Sequence, residues 1–261
     1  MSREPRILTC DEKNEEIMIT IEKERLCIVG DIHGEINSLV YDISERYGFL
    51  DTAFIIVGDV GLGFNQPGWY DAVYSRNRER LEGRGNIIYG IRGNHDDPEF
   101  FNGDKKLDFP SFKTISDYEP LEWKGKIILP IGGATSVDKK DRLVENYKWK
   151  KKGSNRKCWW PDERPVKLEN LESLPGHIDI IVSHEAPAAC GPVLIREEWM
   201  DGEMFENIKE DREYLYKILK EKVPERWYFG HHHESYSGTC VNTLYRGLGI
   251  QEIVEVIYYE D

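Results

Sequence analysis

Six short apolar runs, five of them ending directly in a polar cluster, constrain this chain more than any other feature. The runs are Leu26-Cys27-Ile28-Val29, Ala53-Phe54-Ile55-Ile56-Val57, Ile87-Ile88-Tyr89-Gly90-Ile91, Ile127-Ile128-Leu129-Pro130-Ile131, Ile178-Asp179-Ile180-Ile181-Val182 and Arg226-Trp227-Tyr228-Phe229. Near-continuous apolar runs of this length suit strands buried on both faces. The first leads into Gly30-Asp31-Ile32-His33-Gly34 and the second into Gly58-Asp59-Val60-Gly61. The third leads into Gly93-Asn94-His95-Asp96, the fifth into Ser183-His184-Glu185, and the sixth into Gly230-His231-His232-His233. Sites in open α/β sheets form just beyond the carboxyl ends of strands, so these five clusters describe one constellation on one edge.

Between the runs lie segments of helical spacing. Ile36, Leu39, Val40, Ile43 and Tyr47 share one face, and Trp69 to Leu81 and Met204 to Val223 also read as helices. Strands alternating with helices give an α/β class. Ile17 to Ile21 and two runs within Ser237 to Tyr259 read as strands in hairpins flanking that core. With no internal repeat or linker, a single domain over residues 1–261 is expected. The stretch from Lys139 to Pro165 has little apolar periodicity and reads as a long, lid-like loop.

The chain has 261 residues with 39% hydrophobic content, enough for a large packed core. Cys10, Cys27, Cys158, Cys190 and Cys240 are scattered without zinc-finger or redox spacing, so reduced thiols are expected. The opening residues lack the apolar run of a signal peptide, and no stretch has membrane-spanning length, so a cytoplasmic protein without a membrane partner is expected. Lys and Arg number 35 against 48 Asp and Glu, a net charge of −13. That balance opposes binding to duplex nucleic acid, which depends on neutralising phosphates.

Carboxylate, imidazole and amide oxygen are ligands suited to manganese, iron or zinc. In Asp31-Ile32-His33 and His231-His232-His233 the outer side chains of an extended segment project to the same side, so each triplet can offer two ligands. Of seven histidines, only His177 lies outside the five clusters. The ordered set Gly-Asp-x-His-Gly, Gly-Asp, Gly-Asn-His-Asp, His and Gly-His-x-His resembles the calcineurin-like metallophosphoesterases from Gly30 to His233.

That resemblance implies a four-layer α-β-β-α sandwich and two divalent ions, with manganese the leading choice and iron, zinc or nickel also accommodated. It implies that Asp31, His33, Asp59 and His233 hold one ion. Asp59 bridges to a second, held also by Asn94, His184 and His231. The resemblance also implies that His95 sits beside the substrate, donating a proton to the leaving oxygen or stabilising its charge, with Asp96 or another carboxylate orienting its ring. Two such ions about 3.5–4 Å apart clamp phosphoryl oxygens and generate hydroxide near neutral pH. The substrate class expected is a small phosphorylated molecule or nucleotide, as monoester or diester.

The second cluster departs from the serine/threonine protein phosphatases of this superfamily, which read Gly-Asp-x-Val-Asp-Arg-Gly where this chain has Gly58-Asp59-Val60-Gly61-Leu62-Gly63-Phe64. Arg92 before Gly93 does match that branch, whereas Asp96 stands where it has Glu. A phosphoprotein phosphatase therefore stays as the alternative, with a silent metal-bound interaction module behind it. Gly132-Gly133-Ala134-Thr135-Ser136-Val137-Asp138, then Arg142 and Trp159-Trp160-Pro161-Asp162-Glu163, resemble a bacterial and phage subgroup. Arg142 reads either as a guanidinium placed over the phosphate or as a surface ion pair. Lys148-Trp149-Lys150-Lys151-Lys152, with Arg156 and Lys157, reads either as a basic steering loop with Trp149 or Trp159 stacking on a base, or as a solvated loop that the tryptophans pack down.

Overall fold

A computed structural model describes residues 18–66, 68–194 and 198–258. Two sheets dominate it. The first runs β13-β2-β3-β4-β6-β5. Its parallel centre is β2 (Arg25–Val29), β3 (Thr52–Ile56), β4 (Ile87–Gly90) and β6 (Phe112–Thr114). Antiparallel edges are supplied by β5 (Asp108–Phe109) and β13 (Ile253–Glu255). The second sheet runs β1-β7-β8-β9-β10-β12-β11. It comprises β1 (Ile19–Thr20), β7 (Leu121–Trp123), β8 (Lys126–Ile131), β9 (Ile180–Ser183), β10 (Arg226–Phe229), β11 (Tyr236–Cys240) and β12 (Thr243–Gly247).

Strand periodicity sorts the side chains into three cores. Leu26, Ile28, Ala53, Ile55 and Val57 meet Leu121, Ile128, Ile180, Val182 and Tyr228 between the sheets. The alternate residues Cys27, Val29, Phe54 and Ile56 face outward and pack on α1 (Ile36–Tyr41) and α2 (Trp69–Glu82) through Leu39, Val40, Val73 and Leu81. On the far side Leu129, Ile181, Trp227 and Phe229 pack on Leu215, Ile218 and Leu219 of α4 (Gly202–Lys222). Both sheets are thus buried on both faces, which is why their strands carry unbroken apolar runs. The layers are α-β-β-α, as expected.

Three local readings change. Lys139–Lys151 is a helix, α3, rather than the first half of a loop. The segment has no Gly or Pro and is rich in Lys, so propensity favours a helix even though its only buried residue is Arg142. Only the remainder of the 139–165 stretch is irregular. Its basic residues Lys148, Lys150 and Lys151 fall in the last turn of α3, where the helix dipole favours cations. Of the terminal segments, β11 and β12 do form a hairpin, with Val241 and Asn242 both at positive φ in its two-residue turn. By contrast β1 runs parallel to β7, and β13 closes the other sheet against β2, so neither is a hairpin arm. Ile17 and Tyr259, at the limits of those two readings, lie outside the described residues, as does Cys10. Cys27, Cys158 and Cys190 are buried and Cys240 half-buried, all unbridged. Among the described residues no helix is long and apolar enough to cross a membrane.

Candidate metal centre

The polar clusters meet where the carboxyl ends of both sheets come together. From one sheet β2 delivers Asp31 and His33, β3 delivers Asp59, and β4 delivers Asn94 and His95. From the other β9 delivers His184, and β10 delivers His231 and His233. The single edge read from the sequence is therefore a seam between two sheets. Asp31, His33, Asp59 and His233 bring ligand atoms within 4.8 Å of one another. His233 Nε2 lies 3.2 Å from Asp31 Oδ2 and 3.0 Å from His33 Nε2. Asp59 Oδ2 stands 3.7 Å from His33 Nδ1, while its Oδ1 stands 3.3 Å from His184 Nε2. His184 Nε2 in turn lies 2.8 Å from Asn94 Oδ1, and the His184 and His231 rings are 5.0 Å apart. Asp59 thus faces both groups at once.

The backbone makes this convergence by turning, not by extension. His33, Asp59, His231 and His233 all have positive φ, between 46° and 66°. The two triplets therefore bring their outer side chains together through left-handed turns, which corrects the extended geometry expected for them. Left-handed backbone costs a non-glycine residue about 1–2 kcal/mol, and such strain gathers at functional sites. Glycine is required where the ligands crowd the chain. A Cβ on Gly230 would sit 2.0 Å from Asp31 Oδ1, and one on Gly58, itself at φ 107°, would sit 2.2 Å from His184 Nδ1.

Electrostatics suit a cation. Burial, with Asp31 and Asp96 nearby, pushes Asp59 well above the usual carboxylate range. Burial acts on Asp31 too, but hydrogen bonds and charge from His233, His184 and the His231 N–H bring it below that range. Two buried carboxylates held together repel, and a divalent ion relieves that repulsion. Burial lowers His33 and His184 and takes His231 down to about 3, which leaves these imidazoles neutral with lone pairs to give. The donor set therefore fits a hard-to-borderline divalent metal.

His95 packs edge-on to His33 at 5.2 Å, and burial, helped by Arg142 and the neighbouring imidazoles, pushes it down to about 2. Asp96 does not orient it. The Asp96 carboxylate accepts hydrogen bonds from the N–H groups of Val60, Gly61, Leu62 and Gly93, tying the Asp59 loop to the Asn94 loop. The carboxylate within ion-pair range of His95 is Asp138, with Oδ2 4.0 Å from Nε2. Arg142 is buried whereas its partner Asp138 is 42% exposed, so the ion pair is half-buried rather than on the surface. Its Nε donates to Asp138 Oδ2 at 2.7 Å and its Nη1 to the Cys158 carbonyl at 2.9 Å.

A family model for calcineurin-like phosphoesterases matches residues 24–235, which span every cluster of the site. The chain belongs to the calcineurin-like phosphoesterase family. It is accordingly a phosphoesterase-type hydrolase, and its Asp and His cluster is a metal-binding arrangement. Among curated proteins none matches. Solved structures similar to it include a Thermus thermophilus protein at 10% identity, covering 90% of this chain and 98% of that one, with a TM-score of 0.47. A phosphopantetheinyl hydrolase from Mycobacterium tuberculosis is 13% identical over 88% of this chain and 91% of its own, at 0.45. A putative 5'-nucleotidase from Staphylococcus aureus is 13% identical over 88% of this chain and 50% of its own, at 0.40.

Glu185 is the residue beside the phosphoesterase site that carried no role in the sequence reading. Glu185, next in sequence to His184, is buried with Oε1 2.9 Å from His232 Nε2 and Oε2 3.8 Å from His231 Nε2. Its adjacency to a ligand cluster was the available signal. Arg92 reaches away from the centre to Asp117 and to the carbonyls of Asp162, Glu163 and Arg164, so it clasps the 162–164 segment. Trp149 lies under the Arg156 guanidinium and Trp159 under the Lys139 ammonium, so both pack against cations of the chain itself. A cavity of about 990 Å³ opens between residues 63–71, 97–107 and 154–162, with Trp160, Arg156, Lys157 and Asn65 in its wall. Its walls continue the segments that carry Asp59, Asn94 and Arg142.

Proposed function

We propose that this phosphoesterase hydrolyses phosphate esters of small molecules or nucleotides with two divalent ions, manganese foremost. The convergence of six donor side chains on the two sides of Asp59, with His95 beside them, carries this reading. Asp31, His33, Asp59 and His233 would hold one ion, and Asp59, Asn94, His184 and His231 the other. Such ions, when bound, neutralise phosphoryl oxygens and lower the pKa of water.

The chain's own groups supply the rest. His95 offers a ring N–H to the leaving oxygen, and Asp138, pinned by Arg142, steadies that ring. Arg142 keeps a permanent positive charge in an otherwise acidic protein, which helps draw an anion to the site. The 990 Å³ cavity on the loops that follow Asp59 and Asn94 would take the remainder of the ester, with Lys105 and Lys157 among four carboxylates in its wall.

The test is hydrolysis of p-nitrophenyl phosphate and its bis ester, with and without manganese, by the wild-type chain and His95→Ala. The expected result is metal-dependent turnover that falls about 10²–10⁴-fold in the variant, the usual contribution of a positioned proton donor. Absence of metal-dependent turnover of either ester would sink the proposal. The ratio of diester to monoester rates then assigns the preference.

A further inference from the structure

An asparagine ligand has a problem that a carboxylate lacks. Its amide has an oxygen and an NH₂ of similar shape, and only the oxygen can face a cation. Around Asn94 the structure holds a chain of hydrogen bonds that fixes the choice. Asn94 Nδ2 donates to Ser136 Oγ at 2.9 Å, and Ser136 Oγ donates to Glu163 Oε2 at 2.5 Å. The Ser136 backbone N–H donates to the other carboxylate oxygen, Oε1, at 3.1 Å. All three residues are buried, with 1%, 0% and 3% of their surface exposed, so no bulk water competes for these bonds.

The direction of the chain is set at its far end. Burial raises the Glu163 carboxyl above its usual range, but the Ser136 N–H and hydroxyl both donate to it and favour the ionised form, which only accepts, so the Ser136 hydroxyl spends its proton on Glu163. The lone pairs of Ser136 then face Asn94 and accept from its NH₂. Asn94 Oδ1 is left pointing the opposite way, toward His184 Nε2, which itself lies 3.3 Å from Asp59 Oδ1. Glu163 is itself anchored, since its carbonyl accepts from Arg92 Nη1 and from the Ala134 N–H. This accounts for parts of two sequence motifs that the ligand set leaves unused, Gly132 to Asp138 and Trp159 to Glu163.

We infer that Ser136 and Glu163 are positioning residues that set the polarity of the Asn94 amide, holding its oxygen toward the metal centre. The inference rests on the two-ion reading above. Groups that orient metal ligands in this way typically change affinity about 10–100-fold when removed. Glu163→Gln keeps the shape but introduces an NH₂ donor, so Ser136 can reverse and the Asn94 amide can turn over. Ser136→Ala removes the link altogether.

Manganese titration calorimetry on the metal-stripped full chain, followed by electron paramagnetic resonance at two equivalents, tests it. Wild type should take up two ions and give the spectrum of a spin-coupled pair. Glu163→Gln and Ser136→Ala should each bind one ion with wild-type affinity and the other about 10–100-fold more weakly. Their spectra at two equivalents should then be dominated by uncoupled manganese. Thermal melting checks that both variants fold, and the isosteric Glu163→Gln stands alone if Ser136→Ala does not. Two ions bound at wild-type affinity in a folded Glu163→Gln would overturn the inference, as would equal weakening of both. A wild-type chain that binds no manganese overturns the two-ion reading itself, a separate and recognisable failure.

Discussion

Asp96 shows how one side chain can set the geometry of several others. Its carboxylate takes N–H groups from Val60, Gly61, Leu62 and Gly93, so the loops that carry Asp59 and Asn94 are fastened at one point. Burial raises its pKa to about 6, even though the four N–H bonds oppose that rise. A buried donor left without a partner costs about 1–3 kcal/mol. Asp96→Ala is therefore expected to lose about 3 kcal/mol or more in urea unfolding, and to bind manganese more weakly because Asp59 is no longer held. A loss below about 0.5 kcal/mol, the range of a plain surface change, would contradict this role. At this scale the ligand types were legible, because metal chemistry restricts them to Asp, His and Asn at strand ends. The partners of those ligands were not. Nothing in the letters of Gly93-Asn94-His95-Asp96 says that Asp96 bonds to backbone while Asp138, far along the chain, stands beside His95.

Elements were legible where burial is two-sided and opaque where it is slight. The long apolar strands and α4 follow from their patterns, whereas β5, β6 and β7 are too short to leave a periodic signal. The helix α3 was missed because it has almost no buried face; its Leu143, Val144 and Tyr147 are exposed while Arg142 is buried. Helix α4 begins at Asp201, whose side chain caps the Met204 N–H, and stops at Val223 with φ 42° before Pro224. A β-branched residue is strained in that left-handed position, and Val223 is 42% exposed, so only part of its side chain packs. Val223→Gly is expected to stabilise the fold by about 0.5–1 kcal/mol, after allowing for the greater freedom of glycine in the unfolded chain. A raised midpoint in thermal or urea unfolding checks it; a lowered one would show that Val223 packing outweighs the strain.

Across the whole molecule the fold brings residues about 200 positions apart into hydrogen-bond range, as with His33 and His233. The strand pattern puts five strand ends on one edge, but it cannot say that β2, β3 and β4 belong to one sheet while β9 and β10 belong to another. Both sheets are buried on both faces, so their strands read alike. The two-sheet arrangement matters for the chemistry, since β2, β3 and β4 supply both carboxylates, Asn94 and His33 while β9 and β10 supply the other three imidazoles, and only the closed seam completes the set. Asp59 faces ligands from both sheets with its two oxygens, Oδ2 toward His33 and Oδ1 toward His184. The most direct test of the account is therefore the metal content of the manganese-saturated full chain after removal of free ion, for wild type and Asp59→Asn. Two ions per chain in wild type and loss from both positions in the variant is the predicted result. A variant that folds and keeps one ion at wild-type affinity would contradict a shared centre.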